Sequence, residues 1–400
     1  MAPDISSRLR IVVLGYIVRG PVGGMVWSNL QYLRGLARLG HDVCFVEDSE
    51  DYPACYDPAR EEVGIDATYG LSFAGRELER IGMGSRWAYW NAHEKTWEGP
   101  AASRVLDFCA TADVVLNLCG VNPIRPWLES VPVRVFVDED PAFTQIRHIE
   151  DEKARARAAK HTHFFSFAAN IGKPGCSVPD DGFEWRPTRQ PVDLDALPVS
   201  AGQPGGAFTT VMLWDSYAAR EFNGVRYGMK SDSLTALLDL PARTGSPLEL
   251  AVGGPTAPQS LLAEHGWRVR DPRPISRSVS TYLGYIRESI GELSPAKQGY
   301  VVTSSGWFSE RSVAYLATGR PVIVQETGFT SWLSSSGGVT AFRTADEALE
   351  GIRDVTAHYD HHCRDARNVA ERYFDARQVL SELIDRVTST SESAAARNRT

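Results

Sequence analysis

Apolar positions along the chain fall into two textures, the short unbroken run and the helical stripe. Unbroken runs occur at Arg10 to Ile17 (RIVVLGYI), at 112–120 (ADVVLNLCG), at 133–141 (VRVFVDEDP) and at 162–172 (THFFSFAANIG). Rich in β-branched residues, they read as strands buried on both faces, which calls for a parallel sheet covered by helices. The stripe follows the first run and its glycine-rich turn RGPVGG at 19–24: Met25, Leu30, Leu33, Leu36 and Leu39 recur at helical spacing, Gly40 stops the helix, and HDVCFVED restarts a strand. That sequence of elements is a βαβ unit.

The pattern is then interrupted and begins again. Residues 173–207 are dense in Pro, Gly and Asp and carry no sustained periodicity. Beyond them come FTTVMLW (208–214), LELAVGG (248–254), WRVRD (267–271), GYVVTS (299–304) and RPVIVQ (320–325), each predicted as a strand. At 400 residues the chain also exceeds what a single core usually serves. The expected architecture is α/β, with two Rossmann-like doubly wound domains facing a cleft, over 1–190 and 205–370. A last helical stretch, from about 344 to 387, ends in the polar tail TSTSESAAARNRT.

Composition narrows the function. Hydrophobic and charged fractions of 43% and 23% belong to a folded globular protein, and the net charge of −8 with Lys and Arg scattered along the chain predicts no nucleic-acid partner. No run approaches ~20 apolar residues, and the first one breaks at Arg19 and Gly20 without a cleavage site, so a cytoplasmic chain without a spanning helix is expected. Six cysteines contain no C-x-x-C pair and read as reduced, structural thiols.

Several positions can carry chemistry. In the first βα loop, Gly23 and Gly24 let a ligand approach the backbone at a helix start that favours anions, or they simply make a tight turn. Neither G-x-G-x-x-G nor Gly-Lys-Ser/Thr is present, so the NAD and ATP readings both lose support. Asp138-Glu139-Asp140-Pro141 ends a strand; Asp138 and Asp140 are candidates to position an acceptor hydroxyl or act as base, or else cap the next helix. His93 and His148 are further base candidates, and His41 is expected to be packed. His358, His361 and His362 form H-x-x-H-H without a visible carboxylate partner, and Asp138-Glu139-Asp140 fits D-x-D only by letter, so no metal is expected. In GWFSERSVAYLATGRPVIVQETGF (306–329), Ser309 is an N-cap, Glu310 and Arg311 occupy the first turn, and Gly319 closes the helix. The following strand ends at Gln325, Thr327 and Gly328, a place where open α/β sheets bind ligands, or where the chain simply turns.

This helix, Gly-x-Pro and strand resemble the donor-binding segment of GT-B glycosyltransferases of the glycosyl-transferase group 1 and spore-maturation CgeB-like classes. The resemblance implies a GT-B arrangement whose C-terminal segment, 371–400, returns to the N-terminal domain. It also implies a nucleotide-sugar donor, a small-molecule or glycan acceptor and no cofactor. Ser309, Arg311 and Ser312 would hold the donor diphosphate, with Arg311 exposed until ligand arrives. Lys230 in FNGVRYGMKS, with Arg226 second, would neutralise the leaving diphosphate, unless it is an ordinary solvated lysine. The class's E-x7-E pattern puts its second glutamate at Ala314, so that contact is lost; Glu310 either serves a nearby role or complements the helix dipole. Sugar transfer is the expected activity. The alternatives are a nucleotide-sugar 2-epimerase and a non-catalytic nucleotide or sugar binder.

Overall fold

The computed structural model describes residues 8–200, 202–335 and 337–397. Its N-terminal sheet runs, edge to edge, Trp185–Pro187, His163–Ser166, Val133–Asp138, Val114–Leu118, Arg10–Leu14, Asp42–Asp48, Trp87–Asn91 and Thr96–Glu98, parallel except for the last pair. The C-terminal sheet runs Arg268–Arg270, Leu248–Gly253, Phe208–Leu213, Gly291–Ser294, Val322–Gln325 and Val339–Phe342, parallel throughout. The unbroken apolar runs are what double burial requires: Ile11 and Val13 enter one core, Val12 and Leu14 the core on the opposite face.

In each sheet the first strand lies between neighbours that lead off in opposite directions, so strand order reverses at Arg10–Leu14 and at Phe208–Leu213. Ligand crevices open outside the carboxyl ends of strands at such points. One end feeds the RGPVGG loop and the other feeds the segment that reaches Lys230. The helix Gly23–Arg38 packs against the final helix, Ala376–Arg397, whose Leu380, Leu383, Ile384 and Val387 enter the N-terminal core.

Three expectations need revision. GYVVTS is not a strand: Gln298–Val302 is helical, and Gly291–Ser294 takes the place in the sheet. Gly299 lies tight against the other domain there, where a Cβ would sit 2.6 Å from the Phe143 ring. The 173–207 stretch contains an edge strand, Trp185–Pro187, which leaves 188–207 as the crossover. That crossover is anchored by Asp193, which pairs with Arg34 at 2.7 Å and donates its backbone N–H to Gln31. The polar tail is helical as far as Arg397, and its last three residues lie outside the described ones. Finally, the two antiparallel hairpins Cys55–Asp57/Glu62–Gly64 and Arg220–Phe222/Val225–Tyr227 went unread in the sequence. Among the described residues no helix is long and apolar enough to cross a membrane.

Candidate active site

A cavity of about 1130 Å³ lies between the carboxyl ends of the two sheets. Its N-terminal wall carries Tyr16, Val22, Met25, Tyr56, Leu118 and Glu139, and its C-terminal wall carries Lys230, Arg277, Tyr282, Glu310 and Arg311. The first βα loop supplies part of the former. Gly24 lines the cavity, but Gly23 does not: its N–H donates to the Ser276 carbonyl at 2.7 Å, and a Cβ there would sit 2.3 Å from the Ser278 carbonyl oxygen. Gly23 is therefore a point of closest approach between domains and not a ligand contact. Arg19, in the same loop, is 1% exposed and committed to Glu47, which also accepts the N–H groups of Ile17, Val18 and Arg19.

The acidic triplet divides its work against expectation. Asp138 is buried and accepts from the Asp140 N–H (2.9 Å), Gln145 Nε2 (3.1 Å) and Ser166 Oγ (2.8 Å), so it fixes the turn and is not free to act as base. Asp140 reaches out of the N-terminal domain to Lys297 Nζ (2.9 Å) and to the hydroxyls of Tyr217 and Tyr300. It is an interdomain tie, and neither aspartate lines the cavity. Glu139, between them, does. Burial, reinforced by the nearby carboxylates of Glu310 and Asp138, pushes its pKa up to about 8 against a hydrogen bond from Cys119 that favours the charged form. Cys119 and Ala142, at φ +55° and +70°, hold left-handed backbone on either side of it, the kind of local strain that functional turns retain.

On the opposite wall, Ser309 caps the helix Glu310–Ala317 by accepting the Arg311 N–H at 3.2 Å. Arg311 is not exposed. Its guanidinium pairs with Glu292 Oε1 at 2.5 Å, donates to the Val211 carbonyl and to Ser294 Oγ, and touches the cavity only from within this network. Ser312 and Ala314 are wholly buried and off the cavity, since they lie on the inner face of the helix. Lys230 is the contrasting cation. It lines the cavity and has no hydrogen bond or ion pair among the described residues, and burial together with the Arg311 charge pulls its pKa down to about 7. Arg277 and Glu310 are cavity residues likewise without such partners among the described residues.

The remaining candidates lie elsewhere. Arg226 pairs with Asp232 at 3.1 Å on the exposed hairpin. Gln325 accepts the Ala296 N–H at 3.0 Å, Thr327 donates to the Trp307 carbonyl, and the Gly328 carbonyl accepts from Asn170 Nδ2 at 2.9 Å; all three knit loops together away from the cavity. His93 is exposed on a hairpin turn, and His148 is buried against Asp181 at 2.7 Å. His358 and His362 do have a carboxylate after all, Asp354, at 2.9 and 3.0 Å. His362 Nδ1 accepts the Gly338 N–H, which leaves its proton on the Nε2 that faces Asp354. A metal-bound imidazole instead donates from its outer nitrogen, so this group is held by hydrogen bonds. Glu139 and Arg277 were the residues passed over. Arg277 follows WRVRD, and the rule that ligands gather at strand carboxyl ends pointed to that loop.

No protein-family model and no curated protein sequence matches the chain. Solved structures do. An alpha-glucosyltransferase in complex with UDP-glucose and DNA containing an abasic site matches with a TM-score of 0.58 at 10% identity, over 96% of this chain and 100% of that one. HepE from Anabaena, in complex with UDP and glucose, matches with a TM-score of 0.54 at 12% identity, over 96% and 100%. Sucrose-phosphate synthase from Thermosynechococcus elongatus matches with a TM-score of 0.52 at 12% identity, over 95% and 100%. At such identities the likeness concerns architecture, and with two facing Rossmann-like domains around one cleft the chain has the GT-B fold.

Proposed function

We propose that this protein is a glycosyltransferase that moves a sugar from a nucleoside-diphosphate sugar to an acceptor hydroxyl. One observation carries the reading: Lys230, a cation without a partner among the described residues, and Glu139, a carboxylate of raised pKa, belong to opposite walls of one cavity. Lys230 and Arg277 meet the donor diphosphate, beside the N-terminus of the helix Glu310–Ala317, and Glu310 accepts hydroxyls of the sugar. The acceptor oxygen bonds to the anomeric carbon while the bond from that carbon to the diphosphate oxygen breaks. The electron pair leaves on the nucleoside diphosphate, and the acceptor proton passes to Glu139. Fixed cations aimed at the leaving oxygen are the main source of acceleration, and two side-chain cations make a metal ion unnecessary in this scheme. The UDP and UDP-glucose bound by the similar structures support the donor class.

Thermal shift with UDP-, dTDP- and GDP-sugars identifies the donor, and product analysis with that donor then decides the chemistry. Sugar transfer or slow donor hydrolysis is expected. Epimerisation of the donor sugar, or binding with no turnover across a broad acceptor panel, overturns the proposal.

A further inference from the structure

Resting on that reading, we infer that the acceptor is an uncharged, apolar hydroxyl compound with a ring system, of the phenol or aglycone kind. The two walls differ in what they can recognise. Among the described residues of the N-terminal wall the one charged side chain is Glu139; the others include Tyr16, Val22, Met25, Tyr56, Tyr69 and Leu118. Met25 is 47% exposed at the start of its helix, an apolar side chain held open to the cleft.

For a polar acceptor this wall offers, among the described residues, only the hydroxyls of Tyr16, Ser28, Tyr56 and Tyr69 beside Glu139. Asn29 lines the same wall, but its amide is spent: Oδ1 accepts the Tyr16 N–H at 3.1 Å and Nδ2 donates to the Met25 carbonyl at 3.0 Å. A free sugar, with a hydroxyl on nearly every carbon, would outnumber those few groups, and each hydroxyl left unpaired costs about as much as a lost hydrogen bond to water. A phosphorylated or nucleic-acid acceptor needs cations along its path. The loop's own arginine, Arg19, is locked to Glu47, and no other cation lines this wall among the described residues. Tyrosine, valine, methionine and leucine side chains instead suit an apolar ring, whose hydroxyl would be its one polar group to direct at Glu139. The volume fits a pair of ligands. About 1130 Å³ exceeds the roughly 300–1,000 Å³ typical of a single drug-sized ligand, which leaves space for an acceptor beside the donor.

The test separates this inference from the donor assignment by titrating the two sides independently. The intact protein is titrated with UDP, and then, with UDP present and absent, with 4-methylumbelliferone, 1-naphthol, glucose 6-phosphate and a short oligodeoxynucleotide. Saturable binding of the two phenols, and no binding of the charged probes, is expected. Met25→Glu should weaken 4-methylumbelliferone binding by roughly tenfold or more, since it puts a charge against an apolar ligand, while UDP binding serves as the control for folding. Tyr56→Ala gives a second, uncharged lesion in the same wall and should weaken the phenol too. If UDP binds but neither phenol does, the inference falls and the donor assignment survives. If Met25→Glu and Tyr56→Ala both bind the phenol as the parent does, the inference falls as well. If the phenols bind at this wall but no nucleotide does, the transferase reading fails and the apolar site stands.

Discussion

The two walls of the cleft are built from equivalent loops of equivalent folds, yet they differ in charge. Among the described residues, the C-terminal wall brings Lys230, Arg273, Arg277 and Arg311 to the cavity against Asp271 and Glu310, whereas the N-terminal wall brings Glu139 alone. The difference is sharper when partners are counted in. Arg273 is held by Asp271 and Glu61, and Arg311 by Glu292, while Lys230 and Arg277 have no ion pair among the described residues. Sitting on a wall and being available to a ligand are separate properties. A charge already neutralised by the fold shapes the site, and a charge left without a partner marks where the ligand must supply one.

The strongest way to break this contrast is to remove the ionisable group of the N-terminal wall. Glu139→Gln should lower turnover by about 10²–10⁴-fold, the usual contribution of a positioned base, with the fold intact. As a base Glu139 must be ionised while Lys230 must keep its proton, so kcat/KM of the parent should trace a narrow bell with its maximum between about 7 and 8, and the rising limb should vanish in the variant. The stability sign follows from the same shift. Because the folded pKa lies above the ordinary glutamate value, the folded state holds the extra proton, and stability falls as pH climbs toward 8. Denaturant unfolding at mildly acidic and mildly basic pH should show less of this loss in Glu139→Gln. A variant with full activity across the pH range would remove Glu139 from the mechanism.

Next in size is the comparison of two cations on one wall. Lys230→Ala should lower turnover by about 10²-fold, as loss of one fixed leaving-group contact does elsewhere, and leave melting unchanged or slightly raised. Its folded pKa of about 7 lies below the ordinary lysine value, so the folded state lacks a proton above that pH, and stability should rise with pH through that window. A diphosphate returns the proton. Calorimetry of UDP binding near pH 8 in buffers of different ionisation enthalpy should show proton uptake that disappears in Lys230→Ala. Arg311→Ala should behave in the opposite way: it strands Glu292 in the core and should destabilise by about 3–5 kcal/mol, read as a large fall in Tm. If Arg311→Ala melts normally and only loses nucleotide, the division between spent and available charge is wrong.

What the sequence made legible was the scaffold, for a physical reason. Strands such as RIVVL and VIVQ are buried on both faces, and that demand is written in consecutive residues. GYVVTS has the composition of a strand but forms the helix Gln298–Val302, and its local sequence carries no sign of that. The site was legible as loops and illegible as side chains. The segment Asp138-Glu139-Asp140 was recognised at a strand end, but which carboxylate faces the cavity depends on partners as remote as Ser166 and Lys297. Arg311 was read as exposed because first-turn residues usually are; Glu292, one strand over, decides otherwise. The sequence marks Lys230 by its place after a strand, and the absence of partners among the described residues that makes it informative is a fact of three dimensions.

The smallest expected effect sharpens the outer edge of the cationic wall. Arg277 is exposed and without an ion pair among the described residues, so its attraction for a diphosphate acts through water and is screened by salt. Arg277→Ala should therefore weaken UDP binding by only about tenfold at low ionic strength, near 1.4 kcal/mol. At about 1 M salt, where the Debye length shrinks to ~3 Å, most of that difference should be gone. Lys230, shielded by its surroundings, should keep its contribution under the same conditions, so the two variants should separate in a titration series over ionic strength. Equal salt dependence for both would mean that Lys230 is as solvated as Arg277 when nucleotide binds. Parent-like UDP binding by Arg277→Ala at low salt would confine the diphosphate to the inner half of the wall, between Lys230 and the start of the Glu310–Ala317 helix.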